Sequence, residues 1–163
     1  MIEPAEALTL EERAQERAFA KIANYFGELL DYLVVPHIEE KFRALNFTIE
    51  QISQNLKIVV KGQWIAEVDI ILENSDTVIA VEVIEKLLKE HVDEHVNRME
   101  VLRRKADARN DTKKFRGAIA GAIMNAPVRN YAHKAGFYVI EQTGDTVKIN
   151  IPEGFTPREW WEI

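Results

Sequence analysis

The chain has no cysteine, which excludes disulfide staples and thiol catalysis and fits a reducing compartment, the cytoplasm. Its seven glycines never gather into a strand-to-helix loop. Gly117 and Gly121 stand inside an apolar run instead, so the phosphate cradle of a doubly wound nucleotide-binding fold is missing. No Gly-x-Ser-x-Gly occurs, which removes the nucleophile elbow of a serine hydrolase. Apolar runs stop short of the ~18 residues a membrane helix needs, and no basic segment leads into one after Met1, so neither insertion nor export is expected. Internal repeats and low-complexity linkers are missing as well. What remains is 163 residues, 47% of them hydrophobic, enough for one well-filled domain over 1–163. Within it the pattern predicts N-terminal helices over 1–46 and a sheet core over 55–163.

Positive charge is also scarce. A net charge of -6 disfavours a dedicated nucleic-acid binder, because neutralising phosphates supplies most non-specific affinity. The bases are unevenly spread, however. Residues 103–116, RRKADARNDTKKFR, carry seven bases against Asp107 and Asp111. Arg103, Arg104, Lys105, Lys113 and Lys114 are the candidates there for contact with nucleic acid; the competing reading is a solvated helix end and loop.

The most informative stretch is Trp64–Leu87, WIAEVDIILENSDTVIAVEVIEKL. Trp64, Ala66, Val68, Ile70 and Leu72 recur at period two, as do Ile79, Val81 and Val83, and Glu73-Asn74-Ser75-Asp76 supplies turn chemistry between them. This predicts a β-hairpin whose strands are apolar on both faces and therefore lie in a covered sheet. A two-residue loop at Ser75-Asp76 sets Asp69 opposite Glu82, and a register two residues away leaves them diagonal on the same face. Two carboxylates meeting in a half-dry sheet repel each other and lose hydration, so a proton, a base or a cation must lie between them. A divalent ion with oxygen ligands, Mg²⁺ or Mn²⁺ in type, resolves the conflict most economically.

A strand Asp, a hairpin and a Glu-x-Lys in an apolar strand form the core of the PD-(D/E)XK nuclease superfamily. Glu67-Val68-Asp69 with Val81-Glu82-Val83-Ile84-Glu85-Lys86 resembles it. Residues 66–103 are similar to uncharacterised bacterial nuclease-like domains that join a helical N-terminal part to this core, and the resemblance spans roughly residues 20–150. It implies an α/β fold with a mixed sheet, the restriction-endonuclease-like αβββαβ core preceded by N-terminal helices, and phosphodiester hydrolysis as the activity. It also implies Mg²⁺ or Mn²⁺ held by Asp69, Glu82 and the main-chain carbonyl of Val83. Glu67 or Asp31 would complete the shell; Asp31 falls where the family's first helix offers an acid. The departure is Ile84, which occupies the position of the family's Lys. Lys86, two residues on along the same strand, or Lys61 on the preceding strand would have to supply that catalytic charge.

Elsewhere the periodicity is plainer. Thr9 with Glu12 is a capping-box signature, and Phe19, Ile22, Phe26, Leu29 and Leu33 predict an amphipathic helix to about Val35, before Pro36. A shorter helix carries Ile38, Phe42 and Leu45. Thr48–Asn55 reads as a loop or short helical turn and Leu56–Lys61 as a strand. Val92, Val96, Met99, Val101 and Leu102 define the apolar side of a helix from Lys89 to about Ala108. His91 and His95 on that helix read as surface residues rather than metal ligands. Phe115–Met124 reads as a buried strand, Val128–Lys134 as a helix ended by Gly136, and Phe137–Ile140 with Val147–Ile151 as a closing hairpin. Leu30 and Tyr32 widen the first helix's apolar face, and Phe155, Trp160 and Trp161 in the tail read as packing or association residues rather than a ligand-stacking set; a homodimer through that helix or the tail is expected. The functional expectation is a metal-dependent nuclease-like domain. Its rival is a catalytically inactive nucleic-acid-binding or protein-interaction module on the same fold.

Overall fold

The structure, a computed structural model, describes residues 37–144 and 146–160. The predicted first helix, with Leu30, Asp31 and Tyr32, lies outside the described residues, as does Trp161. A helical segment over residues 37–43 (α1) leads into β1 (Gln51–Val60), β2 (Gln63–Glu73), β3 (Thr77–Lys86), α2 (Lys89–Ala108), β4 (Lys114–Ile123), α3 (Ala126–Lys134), β5 (Tyr138–Thr143) and β6 (Thr146–Asn150). The strands form one six-stranded mixed sheet in the order β1-β2-β3-β4-β5-β6. β1, β2 and β3 form an antiparallel meander, β4 and β5 run parallel to β3, and β6 turns back. Each parallel step needs a crossover, and α2 and α3 provide them. The fold is therefore a mixed α/β arrangement. No helix among the described residues is long and apolar enough to cross a membrane.

Two apolar clusters sandwich the sheet. On the face covered by α2 and α3, Val92, Met99, Leu102 and Val128 pack with Ala80, Ile119, Phe137 and Trp160. On the other face Ile38, Phe42 and Phe47 pack over Leu72, Ile79, Val81 and Ile140. Each fully buried aliphatic or aromatic side chain contributes roughly 1.5–3 kcal/mol, so β3 and β4, covered on both faces, are the most strongly held strands. Gly117 on β4 is required by packing: a Cβ there would lie 2.4 Å from the Phe137 ring.

Two features differ from the pattern read in the sequence, and the tail follows its packing reading. β1 starts at Gln51 rather than Leu56, because Gln51–Gln54 pair with Ile70–Glu73; ladder hydrogen bonds carry a stretch that has no apolar alternation of its own. The alternation of β2 breaks at Asp69. Val68 packs on the α2 side with Ile71, whereas Ile70 and Leu72 pack on the other side. Opposite the break Asn55 takes a positive φ of 54, and the β1–β2 pairing steps from Gln54/Ile70 to Leu56/Val68 without a pair between them. Finally, the aromatic tail turns inward. Trp160 is buried, stacks on Phe137 at 5.5 Å and donates its backbone N–H to the Phe115 carbonyl at 2.7 Å. Phe155 packs against Tyr138. Trp160 closes the chain's own core, and Phe155 is partly buried against that core.

Candidate functional site

The hairpin between β2 and β3 sets the site's register. Asn74 Oδ1 accepts the N–H groups of Asp76 and Thr77, and its own N–H donates to the Thr77 carbonyl, an Asx turn that leaves Ser75-Asp76 as the loop. Glu73 then pairs with Val78 and Ile70 with Val81. One step further along the same register, Asp69 and Glu82 face each other on the α2 side of the sheet, where the ladder ends. The strands part at this point. Instead of a β2 carbonyl, Asp69 Oδ2 accepts the Val83 N–H at 2.8 Å. In an extended strand the N–H and C=O of one residue point to the same side, so the Val83 carbonyl faces the same fork.

Both acids are largely withdrawn from water, and this governs their protonation. Burial raises the Asp69 carboxyl above its usual value, opposed by the Val83 N–H and by Arg98. Burial, followed by the neighbouring Asp69 charge, pushes Glu82 up to about 8 despite Arg98. A hydrogen bond between the carboxyls favours the proton on Glu82. Near neutral pH the pair therefore retains a proton that isolated carboxylates would have lost.

The counter-charge comes from α2. Arg98 Nη1 lies 2.9 Å from Glu82 Oε2 and 2.8 Å from His95 Nδ1. His95 is fully buried, and its Nε2 lies 3.0 Å from the Ala80 carbonyl. A guanidinium can only donate, so Nδ1 is an acceptor and the proton of the neutral ring is on Nε2, directed at Ala80. Burial, with Arg98 alongside, lowers His95 to about 3, which keeps the ring neutral. His95 is tied to the strand at one nitrogen and holds Arg98 with the other.

Arg98 does not figure among the site candidates read from the sequence, and His95, read there as a surface residue, is buried instead. The inward stripe of α2 comprises Val92, His95, Met99, Leu102, Arg103 and Ala106; Val96 and Val101, expected on it, are only partly buried. The available signal was spacing alone, since His95 stands three residues after Val92 and four before Met99. His91 takes a different role and accepts the Leu88 N–H at 3.0 Å.

The other candidates disperse. Glu67 lies close enough to raise Asp69 slightly. Ile84 is partly buried, and Lys86, at the end of β3, is exposed. Lys61 sits in the β1–β2 turn with φ 51, roughly 20 Å along β2 from Asp69 at ~3.3 Å per residue, too far for its side chain to reach the acids. The basic run also divides. Arg103, expected at a nucleic-acid surface, is 2% exposed; it bonds Asp107 and the carbonyls of Asp111, Lys113 and Trp160, so no part of its fork is left for phosphate. Lys105 donates to the Val59 carbonyl, Lys113 pairs with Glu73 at 3.2 Å and Lys114 with Glu159 at 3.9 Å. Arg104 and Arg109 stay at the surface, lining with Lys105 a groove of about 570 Å³ floored by Val59, Val60, Ile65 and Val101.

Among the described residues no three acids or histidines gather as a metal-binding group. The fork does offer two carboxylates and a main-chain carbonyl, all hard oxygen donors of the kind Mg²⁺ and Mn²⁺ prefer. Comparison with protein-family models, with curated proteins and with solved structures found no match to this chain.

Proposed function

We propose that this domain is a metal-dependent nuclease-like phosphodiesterase built on the restriction-endonuclease-like core. The observation that carries the reading is a pair of acids buried at a strand fork, protonated beyond the carboxylate norm and short of positive charge. Burying them costs stability, and a second positive charge would relieve it. The succession α1-β1-β2-β3-α2-β4, with β4 parallel to β3, supports the same reading, because it follows the αβββαβ order.

Asp69 and Glu82 would hold Mg²⁺ or Mn²⁺ together with the Val83 carbonyl. A divalent ion in such a site supplies Lewis acidity and a bound water that ionises near neutral pH. The chain's own contribution is positional. The Val83 N–H orients Asp69, and the end of the β2–β3 ladder opens the fork. Calorimetric titration of Mn²⁺ into wild type and Asp69→Ala tests the site, and a cleavage assay with Mg²⁺ and Mn²⁺ on single- and double-stranded substrates tests the activity. Saturable binding lost in Asp69→Ala supports the reading; equal binding in both, or none in either, removes it.

One observation favours a second reading, an inactive nucleic-acid-binding module. Arg98 already partly neutralises Glu82, and residue 84 brings no charge. Metal-independent, salt-sensitive binding without cleavage would identify that case.

A further inference from the structure

Arg98 is only partly used by the described residues. Of its five N–H donors, those on Nη1 serve Glu82 Oε2 and His95 Nδ1. Nε and Nη2 bond no described residue, and neither is among the buried side-chain atoms that lack a partner, so both are open to solvent. The side chain is 17% exposed. A guanidinium whose inner edge is tied and whose outer edge is open, beside two acids, is suited to a planar or tetrahedral oxyanion.

His95 explains why the fork stays in place. Long side chains ordinarily sample many rotamers, and an arginine beside two acids would fold onto them and spend all its donors there. His95 prevents this by accepting one Nη1 hydrogen from within the core. Its ring is held against Phe137 at 4.9 Å between centroids and hydrogen-bonded to the Ala80 carbonyl.

We infer that Arg98 is the phosphate-contacting residue of the acid-pair site, delivered from α2 in place of a cation at position 84, and that His95 is the positioning residue that aims it. This rests on the proposed phosphodiester substrate. It goes further by assigning the anion contact to a helix residue that the strand motif does not include.

The test measures binding and catalysis separately. Affinity for a fluorescein-labelled oligothymidylate is followed by anisotropy against salt, once in chelator and once in Ca²⁺, which shares the oxygen preference of Mg²⁺. Arg98→Ala is expected to lower affinity roughly 10- to 100-fold, as loss of charge-assisted hydrogen bonds does, and to flatten the salt slope by about one unit. Arg98→Lys should keep the slope while losing part of the affinity, because it retains the charge without the fork. His95→Leu should behave as Arg98→Ala does. His95→Gln should keep most of the affinity, since its amide can donate to Ala80 and accept from Arg98; a purely packing role for His95 would not separate these two variants at equal thermal stability.

Mn²⁺ titration of Arg98→Ala gives a readout that does not depend on turnover. Binding should survive, because the oxygen donors remain. If wild type fails to bind Mn²⁺ and fails to cleave, the phosphodiesterase reading falls, and the anion contact is still judged by the chelator series. Affinity and slope unchanged in Arg98→Ala, or no oligothymidylate binding by wild type in either series, overturns the inference whatever the metal result.

Discussion

Arg98 and Arg103 leave the same helix five residues apart and both turn toward the sheet, yet their surroundings are opposite. Arg103 is completely enclosed. Nε and Nη2 meet Asp107, Nη2 also meets the Asp111 carbonyl, Nη1 takes the carbonyls of Lys113 and Trp160, and its plane lies 4.9 Å over the Phe115 ring. One cation, one nearby carboxylate and several neutral carbonyls make a balanced set. Arg98 faces two acids that still retain a proton, and half its fork has no partner among the described residues. A buried charge with every donor satisfied contributes to holding a fold together; a partly buried charge with open donors beside two acids is left able to take a further ligand.

The widest expected separation between the two is in stability. Arg103→Met strands Asp107 and three carbonyls that were bonded to it, and breaking a buried pair on one side costs about 3–5 kcal/mol. Arg98→Met strands one buried acceptor, His95 Nδ1, while Glu82 keeps its proton, so its cost should stay at about 1–3 kcal/mol in chelator. Urea denaturation of both variants measures the gap. Equal losses would show that the two arginines play one structural role and would undo the contrast.

The same contrast explains what was legible in the sequence. Strand and helix periods are set by burial of apolar side chains, so Val78–Val83, Phe115–Ile123 and the span of α2 could be read from residue types. The meeting of Asp69 with Glu82 followed from the turn residue Asn74 and the period of two. Buried polar residues left no such trace. Reading α2 by its apolar members selected Val96 and Val101 and passed over His95 and Arg103, whose burial depends on carbonyls of β3 and of the loop before β4. Those partners are brought near only by the parallel crossover. The basic run misled for the same reason, since composition registers a charge and not the carbonyls that surround it.

The pH dependence of stability sharpens the contrast further, because the Arg98 cluster holds two groups with large opposite shifts, Glu82 and His95. Glu82 rises from an ordinary 4.5 to about 8, so between those values the folded chain holds a proton that the unfolded chain has lost, and stability falls as pH rises through that window. His95 is lowered from 6.5 to about 3; there the unfolded chain binds the extra proton, and stability falls as pH drops through that window. In chelator the two limbs place maximum stability between about 4.5 and 6.5. Each limb should amount to something on the order of 2 kcal/mol once solvent access to the pair is allowed for. Glu82→Gln should flatten the alkaline limb and His95→Gln the acid one. Thermal melts across the range check this, and a profile rising steadily from pH 5 to pH 8 would contradict it.

The smallest effect lies next to the largest in the chain. Arg104 follows Arg103 directly but points to solvent at the rim of the groove with Lys105 and Arg109. Arg104→Ala should leave stability within about 0.5 kcal/mol of wild type, as surface substitutions usually do. If the groove lies along the path of a bound oligonucleotide, the same change should lower the salt slope of binding by about one unit and weaken binding equally across sequences, the signature of a phosphate contact without base readout. Lys105→Ala should do less for binding, because its ammonium is already committed to the Val59 carbonyl at 2.8 Å, and slightly more to the end of the β1–β2 hairpin. Paired measurements of urea stability and salt-dependent anisotropy on Arg103→Met, Arg104→Ala and Lys105→Ala would then separate structural from surface charge within three consecutive residues. A stability loss in Arg104→Ala as large as that in Arg103→Met would mean that exposure does not decide which arginine the fold depends on, and the contrast drawn between Arg98 and Arg103 would lose its physical basis.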